Sequence, residues 1–188
     1  MVLRSQPATR PLEVPLGDPA CSGAIWVVDR LNDAGHEAFL VGGCVRDLLL
    51  GREPKDYDIA TSAEPDQVQQ VFPQTVAVGK AFGVIMVIHE SRDYDVATFR
   101  KDIDYSDGRR PESVTFCSDQ EDVLRRDFTI NGLLYRHSTR EVVDYVGGLA
   151  DLDARIVRAI GEPRRRFEED HLHGQDQSTQ EQPQYQEG

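Results

Sequence analysis

The 188-residue sequence predicts an α+β domain, a small mixed sheet with helices packed on one side. Three observations point there. The length suits one ordinary domain with a single core. The apolar residues fall in short segments, some with helical spacing and some as brief continuous runs that read as buried strands. These segments follow one another in mixed order, without the strict alternation of a doubly wound parallel sheet.

Taken in order, residues 1–18 hold Pro7, Pro11 and Pro15 among small and polar side chains and read as a flexible leader. Asp18-Pro19 opens a helix with Ala24, Val27, Val28 and Leu31 on one side and Gly35 at its end. Residues 38–41 are a buried strand running into the Gly42-Gly43 turn. Residues 45–50 resume helical spacing and stop at Gly51. Residues 57–60 read as a second strand, and 65–72 as a helix with proline at its start. Two β-rich runs, 83–89 and 93–99, are joined by Glu90-Ser91-Arg92. Residues 100–113 are charged and polar, with Gly108 and Pro111, and read as a mobile loop. Residues 119–126 are helical, 133–136 and 141–144 form a hairpin, and 151–155 begin a short helix ahead of the apolar run 156–160. The Gln-rich tract 174–188 has no means to build a core and is expected to be disordered. The ordered domain is therefore 19–160, followed by a separate segment at 161–173.

The formal net charge of −12 argues against broad, nonspecific nucleic-acid binding. From Phe167 onward there are six acids and no lysine or arginine, and without that stretch the balance is −6. Arg100, Lys101, Arg109, Arg110, Arg125 and Arg126 leave room for a local basic groove. No apolar run approaches the ~18 residues that cross a bilayer. Cys21, Cys44 and Cys117 are odd in number and lack CxxC spacing. They point to a reducing cytoplasm rather than to a disulfide framework or a zinc site.

The chemistry centres on Lys55-Asp56-Tyr57-Asp58-Ile59, an Asp-x-Asp on an expected strand. Residues two apart on a strand project from one face, so both carboxylates reach one cleft. Hard carboxylate oxygens suit Mg²⁺, which binds through one or two carboxylates together with substrate phosphates. By itself the pair fits a solvated strand edge equally well. Upstream, however, Gly42-Gly43-Cys44-Val45-Arg46-Asp47 lies between a strand and a helix. Glycines let backbone approach a phosphate, the helix start offers free N–H groups, and Arg46 adds a planar cationic fork. The spacing matches neither the Walker loop nor the dinucleotide fingerprint. Farther on, Arg126 is placed to neutralise phosphate charge, with Asp127 and Asn131 offering an acceptor and a donor for sugar hydroxyls. A basic helix end followed by an aspartate cap fits the same residues.

The blocks Leu40 to Asp47, Leu50-Gly51 and Asp56-Tyr57-Asp58 resemble the first motif of class II tRNA nucleotidyltransferases (CCA-adding enzymes) and bacterial poly(A) polymerases, within the DNA polymerase β superfamily. Tyr94 to Arg100 resembles the strand that carries the family's third carboxylate, here Asp95. Arg125 to Asn131 resembles the block that contacts ribose and triphosphate, and Asp144 to Leu152 resembles the segment linking head to neck. The resemblance runs from about Ala20 to Asp170. It implies a polymerase β-like nucleotidyltransferase head at 19–160 and the start of a neck at 161–173. The implied activity is template-independent transfer of CMP or AMP from CTP or ATP to an RNA 3′ end, with Mg²⁺ as cofactor. The RNA would be tRNA for CCA addition or repair, with poly(A) synthesis, or nucleotide binding without turnover, as alternatives. The implied catalytic residues are Asp56, Asp58 and Asp95, the first two holding metal. The implied nucleotide-binding residues are Gly42, Gly43, Arg46, Arg126, Asp127, Asn131 and Asp170.

One departure stands out. The family reads the incoming base with a Glu-Asp-x-x-Arg motif, whereas here Glu169-Asp170-His171-Leu172-His173 ends in histidine. An imidazole does not supply a fixed two-pronged cationic donor, so discrimination between C and A is expected to suffer. The resemblance ceases within that motif, from which a C-terminally truncated enzyme is expected.

Overall fold

A computed structural model describes residues 6–101 and 115–161. An eight-stranded sheet forms the frame. Its strands are β1 (Ala8–Pro11), β2 (Ala38–Val41), β3 (Asp58–Thr61), β4 (Thr75–Gly79), β5 (Val84–His89), β6 (Arg92–Thr98), β9 (Leu133–Arg136) and β10 (Glu141–Asp144). They lie in the order β1-β10-β9-β2-β3-β6-β5-β4, and β7 (Arg100–Lys101) pairs with β8 (Thr115–Phe116) in a separate ribbon. Within the large sheet, β3 and β6 run parallel and the other pairings are antiparallel, so the sheet is mixed.

The helices are α1 (Pro19–Asp33), α2 (Gly43–Leu49), α3 (Pro65–Val71), α4 (Asp119–Leu124) and α5 (Gly148–Ala154). Helix α1 begins where the Asp18 carboxylate accepts the N–H groups of Ala20 and Cys21, each at 3.1 Å, with Pro19 in the first turn. Its buried residues Cys21, Ala24, Val27, Val28 and Leu31 recur at helical spacing and form one stripe. That stripe packs with Leu40, Ile59, Ile85, Val87, Val96 and Leu133 from one face of the sheet, and Val45, Val68 and Leu149 join the same core from α2, α3 and α5. Most helical packing therefore lies on one side, as expected for the α+β class. On the opposite face a smaller core joins Phe39, Val41, Ala60, Phe99, Leu134 and Val143 to Val123 of α4.

Two expectations are corrected. The leader is not uniformly flexible, because residues 8–11 pair antiparallel with β10, from Ala8↔Asp144 to Pro11↔Glu141. Proline is tolerated there because β1 is an edge strand. Arg10 also makes a two-pronged ion pair with Asp153, at 2.9 and 2.5 Å. The second correction concerns the Asp-x-Asp. The strand starts at Asp58, paired with Val41, rather than at Tyr57, and Asp56 stands just ahead of it. Beyond Val41 the neighbouring chain turns away at Gly42, so Asp56 and Tyr57 have no ladder partner on that side. The expected loop beyond Lys101, the segment carrying Asp170 and His173, and the Gln-rich tract lie outside the described residues.

Candidate active site

Sheet register builds the acidic side of the site. Tyr57 is buried, and its hydroxyl donates to Asp18 Oδ2 at 3.3 Å, while Asp56 and Asp58 on either side of it are exposed. Burying the middle residue turns its two neighbours outward together. In β6 the same alternation buries Tyr94 and Val96 and exposes Asp93 and Asp95. The parallel register Ile59↔Val96 sets Asp58 beside Asp95 one step earlier. The three carboxylates Asp56, Asp58 and Asp95 line one open cleft of about 510 Å³, together with Lys55, Met86 and Arg92.

Their closeness shows in the acidity of Asp58. Its pKa is raised, first by the protein packed around it, then by repulsion from Asp95. Arg126 opposes that repulsion, and Asp56 adds to it. The carboxylate nevertheless stays open to solvent on the cleft side. Among the described residues no three His, Cys, Asp or Glu side chains form a ready-made metal cage.

The turn at Gly42 forms the adjoining wall. Its φ of 76° with ψ of −136° is open to glycine and strained for other residues. A Cβ there would sit 3.4 Å from Arg126 Nη1 and 3.9 Å from Asp58 Oδ2, so the bare backbone brings the turn, the arginine and the carboxylate together. Gly43 opens α2, where a Cβ would meet only Arg46 at ordinary contact distance. Cys44 is buried and donates to the Val41 carbonyl at 3.1 Å, and burial pushes its thiol pKa up to about 12. It is a packing residue, without thiolate chemistry at neutral pH.

The basic block is tied together more tightly than the sequence suggested. Arg46 donates from Nε to Asp47 at 2.9 Å and from Nη1 to Asn131 at 2.7 Å. These bonds hold its guanidinium between Asp47 and Asn131, with the side chain still partly exposed. Asn131 Nδ2 in turn donates to Asp127 at 3.3 Å, and Asp127 also accepts the Phe128 N–H at 2.6 Å. Arg126 donates from Nη2 to Asp122 at 3.1 Å, and its Nε is buried without a hydrogen-bond partner.

Sequence reasoning missed Asp122, which is 1% exposed. It accepts from Arg125 Nε at 2.8 Å, Arg126 Nη2 at 3.1 Å and the Arg100 N–H at 3.2 Å. The available signal was its position three and four residues before Arg125 and Arg126 on one helix. Asp144 was read as the end of the hairpin and the start of a linking segment. It is buried, and it accepts the N–H groups of Val146, Gly147, Gly148 and Leu149 at 2.8–3.0 Å, which fixes the start of α5.

A mixed sheet that presents carboxylates beside a helix-opening glycine turn has the polymerase β-like nucleotidyltransferase fold. The crystal structure of the Bacillus stearothermophilus CCA-adding enzyme in complex with CTP superposes with a TM-score of 0.72 at 41% identity, over 84% of this chain and 38% of that one. The sequence pattern of the Poly A polymerase head domain matches residues 38–158, and the chain belongs to that family. The CCA-adding enzyme of Geobacillus thermodenitrificans is 49% identical over 156 residues, covering 82% of this chain and 38% of the relative. That of Pediococcus pentosaceus is 48% identical over 147 residues, covering 78% of this chain and 37% of the relative. This chain thus spans under two fifths of the length of the curated relatives it matches. Thermotoga maritima CCA-adding enzyme complexed with tRNA, at 23% identity and a TM-score of 0.64, shares the fold.

Proposed function

We propose that the chain is the nucleotidyltransferase head of an enzyme that transfers CMP or AMP from CTP or ATP to an RNA 3′ end, with tRNA CCA addition or repair as the physiological reaction. The observation that carries this reading is the meeting of Asp58, Gly42 and Arg126 at the end of β2. It sets a carboxylate, a bare backbone turn and a cation around a space suited to a metal-bound triphosphate. Supporting it, the relatives at 45–49% identity are CCA-adding enzymes, and one solved neighbour holds CTP.

In this reading Asp56 and Asp58 hold Mg²⁺, with Asp95 as third carboxylate. The donor set fits: it is all carboxylate oxygen, and Asp58, whose pKa is raised first by burial and then by repulsion from Asp95, gains from a bound cation. When bound, the ion lowers the pKa of the attacking hydroxyl and steadies charge on the leaving group. Arg46, Arg126 and the turn at Gly42-Gly43 orient the triphosphate, and Asn131 and Asp127, joined to Arg46 by hydrogen bonds, face the ribose. Positioning and charge neutralisation supply most of the rate. Asp170 contributes to reading the base, and His173 in place of arginine weakens the choice between C and A. A cytoplasmic setting fits the three free cysteines.

The test is incubation with tRNA lacking its 3′ CCA, radiolabelled CTP or ATP, and Mg²⁺. Label is expected at the 3′ end, with poor selectivity between C and A, and Asp56→Ala and Asp58→Ala should each abolish it. CTP binding without any extension selects the reading of a nucleotide-binding fragment instead. Incorporation that survives the double substitution removes the carboxylate site.

A further inference from the structure

Asp122 commits its two carboxylate oxygens to different parts of the fold. Oδ1 accepts from Arg125 Nε at 2.8 Å and from the Arg100 backbone N–H at 3.2 Å, and Oδ2 accepts from Arg126 Nη2 at 3.1 Å. Arg100 lies just beyond the end of β6, the strand that carries Asp95. Arg126 is the cation whose Nη1 stands at the Gly42 turn, and it acts electrostatically on Asp58. One buried side chain therefore ties the strand of the third carboxylate to the cation of the opposite wall.

A carboxylate is planar, so its two oxygens move together. A rotation that follows β6 through Oδ1 carries Oδ2 with it, and the Arg126 guanidinium turns in step. Arg126 has little freedom of its own. Its side chain is 17% exposed, its Nε is buried without a hydrogen-bond partner, and among the described residues Asp122 is the acceptor that holds it. A guanidinium fork recognises phosphate by direction as well as by charge. Clamped at Nη2, it presents Nη1 to the cleft, so its aim is set before a ligand arrives. Asp122 is 1% exposed and acts on a ligand only through Arg126.

Resting on the nucleotidyltransferase reading above, we propose that Asp122 is a positioning residue for the incoming triphosphate. It aims Arg126 at the phosphates and fixes that aim relative to the strand of Asp95, so the two walls keep one spacing. Its effect is confined to the polyphosphate, because Asn131 and Asp127 are held by a separate set of hydrogen bonds.

The test is a double-mutant cycle in the full chain, read by calorimetry with CTP and Mg²⁺ and by competition with CMP. Arg126→Gln should weaken CTP about thirtyfold and Asp122→Asn about tenfold, the range of a hydrogen bond to a charged group. The double variant should stay at about thirtyfold, because residues that act through one another do not add. CMP affinity should keep its wild-type value throughout. Tyr145→Phe controls for a general loosening of α4. It removes the 2.8 Å hydrogen bond to Asp119 on that helix, and should lower the melt while CTP affinity holds. If Asp122→Asn does not fold, Arg126→Lys carries the same test: it keeps the charge without the fork, and CTP should weaken about tenfold. Losses that multiply to about three-hundredfold in the double variant overturn the inference. So do equal losses for CMP, a Tyr145→Phe chain that binds CTP as weakly as Asp122→Asn, or an Arg126→Lys chain with wild-type affinity. A wild-type chain that does not prefer CTP to CMP defeats the nucleotidyltransferase reading itself, and this inference with it.

Discussion

The two walls of the cleft are built on opposite terms. On the acidic wall, Asp56, Asp58 and Asp95 are exposed, like-charged neighbours, and the Asp58 pKa is raised by the protein packed around it and then by repulsion from Asp95. On the basic wall, Arg46, Asn131 and Asp127 form one hydrogen-bonded chain, and Arg126 is braced by the buried Asp122. On the first wall register sets Asp58 and Asp95, Asp56 stands just ahead of the strand, and the like charges stay electrostatically unfinished. The second is finished internally before any ligand arrives. In the proposed function, where the site gathers cations and phosphates, this division is an advantage. The acidic wall stays ready to bind, and the basic wall needs no reorganisation when charge develops.

The sharpest way to break the comparison is Asp58→Ala, which removes the acidic wall's centre. Turnover should fall by at least about 10³-fold, given how much of phosphoryl transfer rests on charge stabilisation. Its melting temperature should not fall, because no hydrogen bond to the side chain is lost. Label incorporation beside a thermal melt checks both.

Asp122→Ala attacks the finished wall and should show the reverse pattern. Breaking a buried pair leaves cations uncompensated, so unfolding free energy should drop by about 3–5 kcal/mol in a denaturant titration. Gly42→Ala probes the seam between the walls. Left-handed φ costs a non-glycine residue about 1–2 kcal/mol, and the methyl group meets Arg126. KM for CTP should rise about tenfold, equivalent to ~1.4 kcal/mol, with a smaller change in kcat.

The smallest effect concerns pH. Because the folded-state pKa of Asp58 is raised, its ionisation costs stability, and that cost sets in as pH climbs from the unfolded value near 3.8 through the folded one. Asp58→Asn should therefore melt slightly above the wild type at pH 7 and converge with it near pH 3. Melts across that range in the absence of metal check the sign.

How much was legible in the sequence follows from how local each feature is. The start of α1 at Asp18-Pro19, the strand ending at Gly42 and the β9–β10 hairpin depend on neighbouring residues and were readable. So was the outward pairing of Asp56 and Asp58, since Tyr57 between them is apolar enough to be buried. Strand β1 was hidden because its partner β10 lies some 130 residues away, and three prolines nearby suggested flexibility. Strand β4 was hidden because Val76 and Val78 are exposed at an edge, which blurs the alternation that marks a half-buried strand. The charge of Arg46 is visible in sequence, whereas its hydrogen bond to Asn131, 85 positions on, requires the fold.

The most direct test of the shared carboxylate face is calorimetric titration of CTP into the chain, with and without Mg²⁺, for wild type and for Asp56→Asn with Asp58→Asn. The account predicts CTP binding that tightens with Mg²⁺ in the wild type and loses that dependence in the double variant. Equal Mg²⁺-dependent affinity in both proteins contradicts it.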